Sequence, residues 1–124
     1  MKKESVLRVK SYKFAIRIVR LSQYLQKERN EYVLSKQVLK SGTSVGALIR
    51  EAEFAQSDAD FINKCSISLK EANETDYWLS LLKDTGYLEE NLFNSLNADC
   101  DEVISMLVST VLTMKNKITQ QNNP

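Results

Sequence analysis

Lys40-Ser41-Gly42-Thr43-Ser44-Val45-Gly46-Ala47-Leu48-Ile49-Arg50-Glu51-Ala52 is the stretch on which the fold turns. Seven consecutive residues, Ser41 to Ala47, are small, yet apolar residues recur at Leu34, Val38, Val45, Ile49 and Ala52 at helical spacing. No proline occurs before Pro124. Gly42 and Gly46 each cost about 1 kcal/mol of helix propensity, so packing or function must compensate. A helix with such a waist lets neighbouring helices approach closely on several sides, because no large side chain holds them apart.

Working outward, apolar periodicity defines three more helices. The first runs from about Ser11 to Arg29, with Ser5 as an alternative start. Ser11 as N-cap would leave residues 1–10 as an arm. Leu7, Phe14, Ile18, Leu21 and Leu25 line one face, while Tyr12, Ile16 and Val19 form a second apolar strip. The second helix covers about Ser35 to Ala55, after the polar connection Asn30-Glu31. Ser57 followed by Asp60 approximates a capping box and opens the third helix. Its main face is Phe61, Ile62, Cys65, Leu69, Ala72 and Leu79, with Ile67, Trp78, Leu81 and Leu82 adding apolar bulk elsewhere. Gly86 is placed to cap its end, and Tyr87-Leu88 return to the core. The fourth helix, about Glu89 to Ile118, has one apolar stripe: Phe93, Leu96, Cys100, Val103, Leu107, Val111, Met114 and Ile118. Residues 119–124 are expected to fray.

Short connections make sequential helices antiparallel neighbours, so the pattern predicts an all-α, up-down-up-down four-helix bundle over residues 11–118. At 124 residues this is one domain. The strips beyond one core face on the first and third helices predict self-association. No apolar run approaches the roughly 18–20 residues of a membrane span, and Met1-Lys2-Lys3-Glu4-Ser5 leads into no signal-like block. A cytoplasmic protein without a membrane role is expected.

The chain has no histidine, which removes Glu-x-x-His di-iron sites and histidine-based acid, base or nucleophile chemistry. Cys65 and Cys100 are 35 residues apart, on apolar faces, and read as buried reduced thiols. No catalytic residue, metal or cofactor is expected. Arg50, Glu74 and Asp76 read as a structural polar network: the two carboxylates fall among apolar residues of the third helix and need partners. Arg50, Lys40 and the hydroxyls of Ser41, Thr43 and Ser44 are the candidates.

Several segments, taken in order, resemble the bacterial four-helix-bundle family of 23S rRNA intervening-sequence proteins. They are Phe14-Ala15-Ile16-Arg17-Ile18-Val19, then Ser41 to Ala47 with Glu51, then Gln56-Ser57-Asp58-Ala59-Asp60-Phe61-Ile62. Glu71-Ala72-Asn73-Glu74-Thr75-Asp76-Tyr77-Trp78-Leu79 and Gly86-Tyr87-Leu88 complete the set. The likeness covers Lys10 to Leu88, about two thirds of the chain. It departs at Leu48, where the family often carries asparagine. The resemblance implies a homo-oligomer, a pentamer in form, without established enzymatic activity. A related protein, the accessory component of diversity-generating retroelements, is a basic barrel working with reverse transcriptase and nucleic acid.

Charge is segregated. Residues 1–30 carry +7, residues 31–57 are neutral, and residues 58–86 and 87–124 carry −3 each, leaving +1 overall. Lys10, Lys13, Arg17, Arg20 and Lys27 share one side of the first helix, with Tyr24 among them. A repeated cationic stripe of this kind suits a phosphate backbone, so RNA or DNA is the expected partner. The plainer alternative is a solvated face whose cations pair with acidic groups of a neighbouring helix or subunit. The function predicted is a non-enzymatic oligomeric scaffold binding nucleic acid through that face. The alternative is a protein–protein interaction module.

Overall fold

The computed structural model describes residues 5–122, which form four α-helices: α1 (Val6–Arg29), α2 (Leu34–Ala52), α3 (Asp58–Asp84) and α4 (Glu90–Asn122). Each helix packs on two others, α1 on α2 and α4, and α3 on α2 and α4. Among the described residues neither diagonal pair of helices approaches closely at the backbone, so the antiparallel bundle is square in section. The four seams are unequal. That between α1 and α4 is much the least closely packed.

Ser5, not Ser11, caps α1: its Oγ accepts from Arg8 N at 3.3 Å. Ser11 lies one turn inside the helix, buried against α2, with its hydroxyl donating to Arg8 O. It resembles a cap in sequence because it is a serine preceding an apolar run, yet it sits between Leu7 and Phe14 on the core face. Asn30 ends α1 in the left-handed region at φ 53°. The α2 N-terminus has no side-chain cap at Val33; instead the Glu31 carboxylate accepts from Ser35 N at 3.0 Å. That helix stops at Ala52, three residues before Ala55, in tightened turns where Phe54 N and Ala55 N bond carbonyls three residues back.

Ser57 caps α3 by accepting from Asp60 N at 3.1 Å. The reciprocal bond goes from Gln56 N to Asp60 Oδ2, one residue before the capping-box position. At its other end Gly86 adopts φ +85°, Gly86 N bonds Lys83 O, and Tyr87 N bonds Leu82 O. This is the Schellman arrangement that glycine permits. Leu82, which the sequence pattern sets outside the core face, is fully buried there. Helix α4 continues through residues 119–122.

The core falls into two apolar clusters. One gathers Phe14, Ile18, Leu25, Val38, Leu79, Leu82, Leu96 and Cys100, and the other Leu7, Val45, Ile49, Cys65, Ala72, Val103, Leu107 and Val111. Where they meet, α2 offers Ser41 and Gly42 and α3 offers Thr75. Thr75 Oγ1 lies 2.9 Å from Ser41 Oγ and 2.8 Å from Glu71 O. One turn further along α2, Ser68 Oγ donates to Val45 O at 2.9 Å. The waist therefore serves two neighbours. Its hydroxyl side meets α3, and its glycine side meets α1. A Cβ at Gly42 would stand 2.7 Å from Ile18 Cγ2, and one at Gly46 would stand 3.3 Å from Ser11 O. Among the described residues every buried side-chain nitrogen or oxygen has a hydrogen-bond partner.

Candidate nucleic-acid interface

Successive positions on α1 divide its circumference into stripes. Phe14, Ile18, Leu21 and Leu25 fill the core, and Ser11 and Ser22 face α2. Tyr12, Ile16 and Val19 remain exposed on the outside. Beside them run the five cations predicted from the sequence, and the structure separates these into two kinds.

Lys10 and Arg17 lie nearest α4 and pair with it. Lys10 Nζ is 3.0 Å from Glu102 Oε1, and Arg17 Nη1 is 2.6 Å from Asp99 Oδ2, with a further contact to Ser95 O at 3.4 Å. Both pairs are well hydrated, so each contributes at most about 1 kcal/mol. They tie the loosest seam and partly cancel the charge they hold. Lys13, Arg20 and Lys27 are exposed and pair with no carboxylate among the described residues. They are spaced by seven residues, two turns or about 10.5 Å of rise, with a drift of only ~20° around the axis at each step. A negatively charged strand running along α1 would meet all three.

Inward of this row, the α1–α4 seam opens into two cavities. One of about 330 Å³ is lined by Arg17, Arg20, Leu21, Tyr24, Leu92 and Leu96. A second of about 540 Å³ is lined by Tyr24, Arg29, Gly86, Tyr87, Leu88, Glu89 and Leu92. Tyr24 and Leu92 line both, so the two lie end to end and make a groove along the seam with these side chains at its middle. Arg29 closes its far end, donating to Gly86 O at 3.1 Å and Tyr87 O at 3.2 Å, with its guanidinium 5.1 Å from the Tyr87 ring centroid. Sequence reasoning reached Tyr24 through its place among the cations. It missed Arg29, Tyr87 and Leu92, because their meeting depends on how the α3–α4 turn docks against the end of α1.

Arg50, Glu74 and Asp76 do not form the expected single network. Arg50 is exposed on α2, its guanidinium 5.6 Å from the Tyr12 ring centroid. Glu74 is exposed and accepts from Trp78 Nε1 at 3.2 Å. Asp76 is half-buried toward α4 and accepts from Asn97 Nδ2 at 2.5 Å. The polar groups that do enter the core are neutral: Ser11, Ser22, Ser35, Ser41, Ser68 and Thr75. Ser68 and Thr75, seven residues apart on the main face of α3, carried a readable signal of this. Hydroxyls are far cheaper to bury than carboxylates, which explains why α3 rotates Asp76 off the axis.

Both cysteines are buried and free. Burial pushes the Cys65 thiol up, and burial followed by Asp76, Asp101 and Asp99 pushes Cys100 up to about 12. Cys100 Sγ also lies 3.4 Å from Ala72 O. These are inert thiols, not nucleophiles. Among the described residues no cluster of three His, Cys, Asp or Glu side chains suits a metal ion, and no helix is long and apolar enough to cross a membrane.

A family model described as 23S rRNA-intervening sequence protein matches residues 3–109, more than the Lys10 to Leu88 stretch carrying the resemblance. Among solved structures, the chain is similar to a protein of unknown function from the S23 ribosomal protein family of Bacteroides thetaiotaomicron VPI-5482. The two are 55% identical, with a TM-score of 0.85, over 86% of this chain and 98% of that one. No curated protein matches.

Proposed function

The chain belongs to the 23S rRNA-intervening sequence protein family, and from that premise we propose that it is a non-enzymatic, self-associating helical scaffold that binds RNA or DNA through the basic face of α1. The observation that carries the reading is the row Lys13, Arg20 and Lys27, exposed and without carboxylate partners among the described residues. Cations held at regular intervals along one rigid helix gain affinity for phosphates by counterion release, with little dependence on sequence. Lys10 and Arg17 extend the row at its α4 edge, already half neutralised.

Self-association is supported by the outer surface of α1 and α2. Tyr12, Ile16 and Val19 are exposed, and Phe54 is 79% exposed at the end of α2. A cavity of about 540 Å³ lies between the two helices, lined by Tyr12, Ala15, Thr43, Gly46, Ala47 and Phe54 among others. A second copy covering this surface would remove most of that exposed apolar area from water. Five subunits is the number the family resemblance implies. Light scattering should then report about five times the 14.2 kDa chain, whereas a monomer at micromolar concentration would refute self-association.

The test of binding is Lys13→Glu/Arg20→Glu/Lys27→Glu, which leaves both α1–α4 ion pairs in place. Fluorescence anisotropy with labelled RNA and DNA at ~50 mM salt should show affinity in the parent and its loss in the folded triple variant. Equal binding by both, or none by the parent, would overturn the reading. In the latter case the apolar α1–α2 surface favours the second reading, a protein–protein interaction module.

A further inference from the structure

We propose that the groove along the α1–α4 seam binds single-stranded nucleic acid, with Tyr24 stacking on a base while Lys13, Arg20 and Lys27 hold the phosphates. This rests on the nucleic-acid reading above and names the form of the strand. Three observations carry it. The phosphate row and the groove lie side by side on α1, the row on the outer edge and the groove between that edge and α4. The groove has an apolar floor of Leu21, Leu92 and Leu96, and Tyr24, 40% exposed, lines both of its halves. Its charged walls are mostly guanidinium: Arg17, Arg20 and Arg29 against Glu89, with Asp99 already engaged by Arg17.

Aromatic and guanidinium planes over an apolar floor complement the faces of bases. Only an unpaired strand presents those faces, since a duplex keeps them stacked inside and offers phosphates alone. From Arg17 to Arg29 the groove follows α1 for about 18 Å. At ~3.4 Å per stacked step that is about five nucleotides, within the usual site size of a single-strand-binding surface. The strand enters beside Arg17, passes Tyr24, and ends at the Arg29–Tyr87 pair.

The experiment compares the parent, Tyr24→Ala, Tyr24→Phe and the Lys13→Glu/Arg20→Glu/Lys27→Glu variant. Each is titrated against one short unstructured labelled RNA, its DNA equivalent, and the same DNA annealed to its complement. The parent should bind the single strands more tightly than the duplex. Tyr24→Ala should weaken single-strand binding about five- to 150-fold, the range for losing one aromatic–base stack, and leave duplex binding little changed. Tyr24→Phe should match the parent, because the ring rather than the hydroxyl is used. Photocrosslinking of the parent to a 4-thiouridine strand should mark peptides containing Tyr24 or Tyr87, a readout that needs no variant. Undiminished single-strand affinity in Tyr24→Ala, a duplex bound as tightly as its strands, or crosslinks only elsewhere would each overturn the groove while the triple variant still loses binding. Should the parent bind none of the three, or the triple variant bind all of them undiminished, the nucleic-acid reading falls and the groove falls with it.

Discussion

The Thr75 hydroxyl on α3 and the Ser41 hydroxyl on α2 share a hydrogen bond across 2.9 Å, at the level where the apolar core is interrupted. Both residues are at most 2% exposed. The contact favours the observed register of the two helices, because a slide by one turn would leave each hydroxyl only the carbonyl of its own helix, Glu71 O for Thr75 and Val38 O for Ser41.

Thr75→Val keeps the shape and removes the bond. It should lower stability by about 1–3 kcal/mol, the cost of leaving a buried polar partner behind. Thr75→Val with Ser41→Ala should fall short of the sum of the single losses, since no hydroxyl is then abandoned. Urea titrations of the four proteins measure this. Strict additivity would show that the hydroxyls do not act as a pair.

Gly42→Ala sets a gain in helix propensity of about 1 kcal/mol against a clash with Ile18, where overpacking costs ~1–3 kcal/mol. Ile18 is fully buried and branched at Cβ, so it has nowhere to turn, and a net loss of stability is expected. Gly46→Leu should also cost stability, because its Cβ would press on Ser11 O at 3.3 Å while its outer atoms enter the α1–α2 cavity. Pairing Gly42→Ala with Ile18→Val should recover part of the loss. Thermal melting of the series decides, and a stabilised Gly42→Ala would mean that Ile18 yields to the added methyl and α1 does not press on α2 there.

Asp99→Asn releases Arg17 from its 2.6 Å partner. Stability should change by no more than about 1 kcal/mol, as befits a hydrated pair. Nucleic-acid affinity should rise, because a neutralised cation rejoins the row. Anisotropy titrations at two salt concentrations would register a steeper salt dependence in the variant. A fall in affinity would count against the α1 face as the site.

Cys100 titrates near 12 in the folded chain against 9.0 as its ordinary value. The folded state therefore holds the neutral thiol while the unfolded state ionises first. Its contribution to stability is complete below pH 9 and is lost as pH rises from 9 toward 12. Denaturant midpoints across that window should fall less steeply in Cys100→Ala than in the parent. At pH 8 a thiol reagent should label native Cys100 only at the rate of unfolding, and prompt labelling would show a thiol open to solvent in the folded chain.

The α1 core face and the buried α4 stripe were legible because apolar periodicity is a local property of the chain. Leu25 and Leu107 could be placed without knowing any neighbour. Ser11 could not, since a serine before an apolar run looks the same whether it caps a helix or cushions a glycine on another one. The partners of Asp76 failed for a related reason: Arg50 and Asn97 are both at plausible distances in sequence, and only the rotation of α3 selects Asn97. At the interface, the cationic row could be read from spacing along one helix, but Arg29, Tyr87 and Leu92 meet through the positive-φ turn at Gly86. Which cations are free was hidden as well, because Glu102 and Asp99 lie more than 80 residues away from Lys10 and Arg17.

The weakness of the α1–α4 seam makes the bundle resemble a book, with the α1–α2 and α3–α4 hairpins as covers and the α2–α3 contact as its spine. Opening the covers stretches two hydrated ion pairs and parts Leu21 and Leu25 from Leu96, a smaller loss than opening any of the three closer seams, so it is the least costly way to open the bundle. Tyr24 and Leu92 would part without disturbing Thr75 and Ser41. Amide exchange should therefore be fastest where α1 and α4 face each other and slowest along the spine.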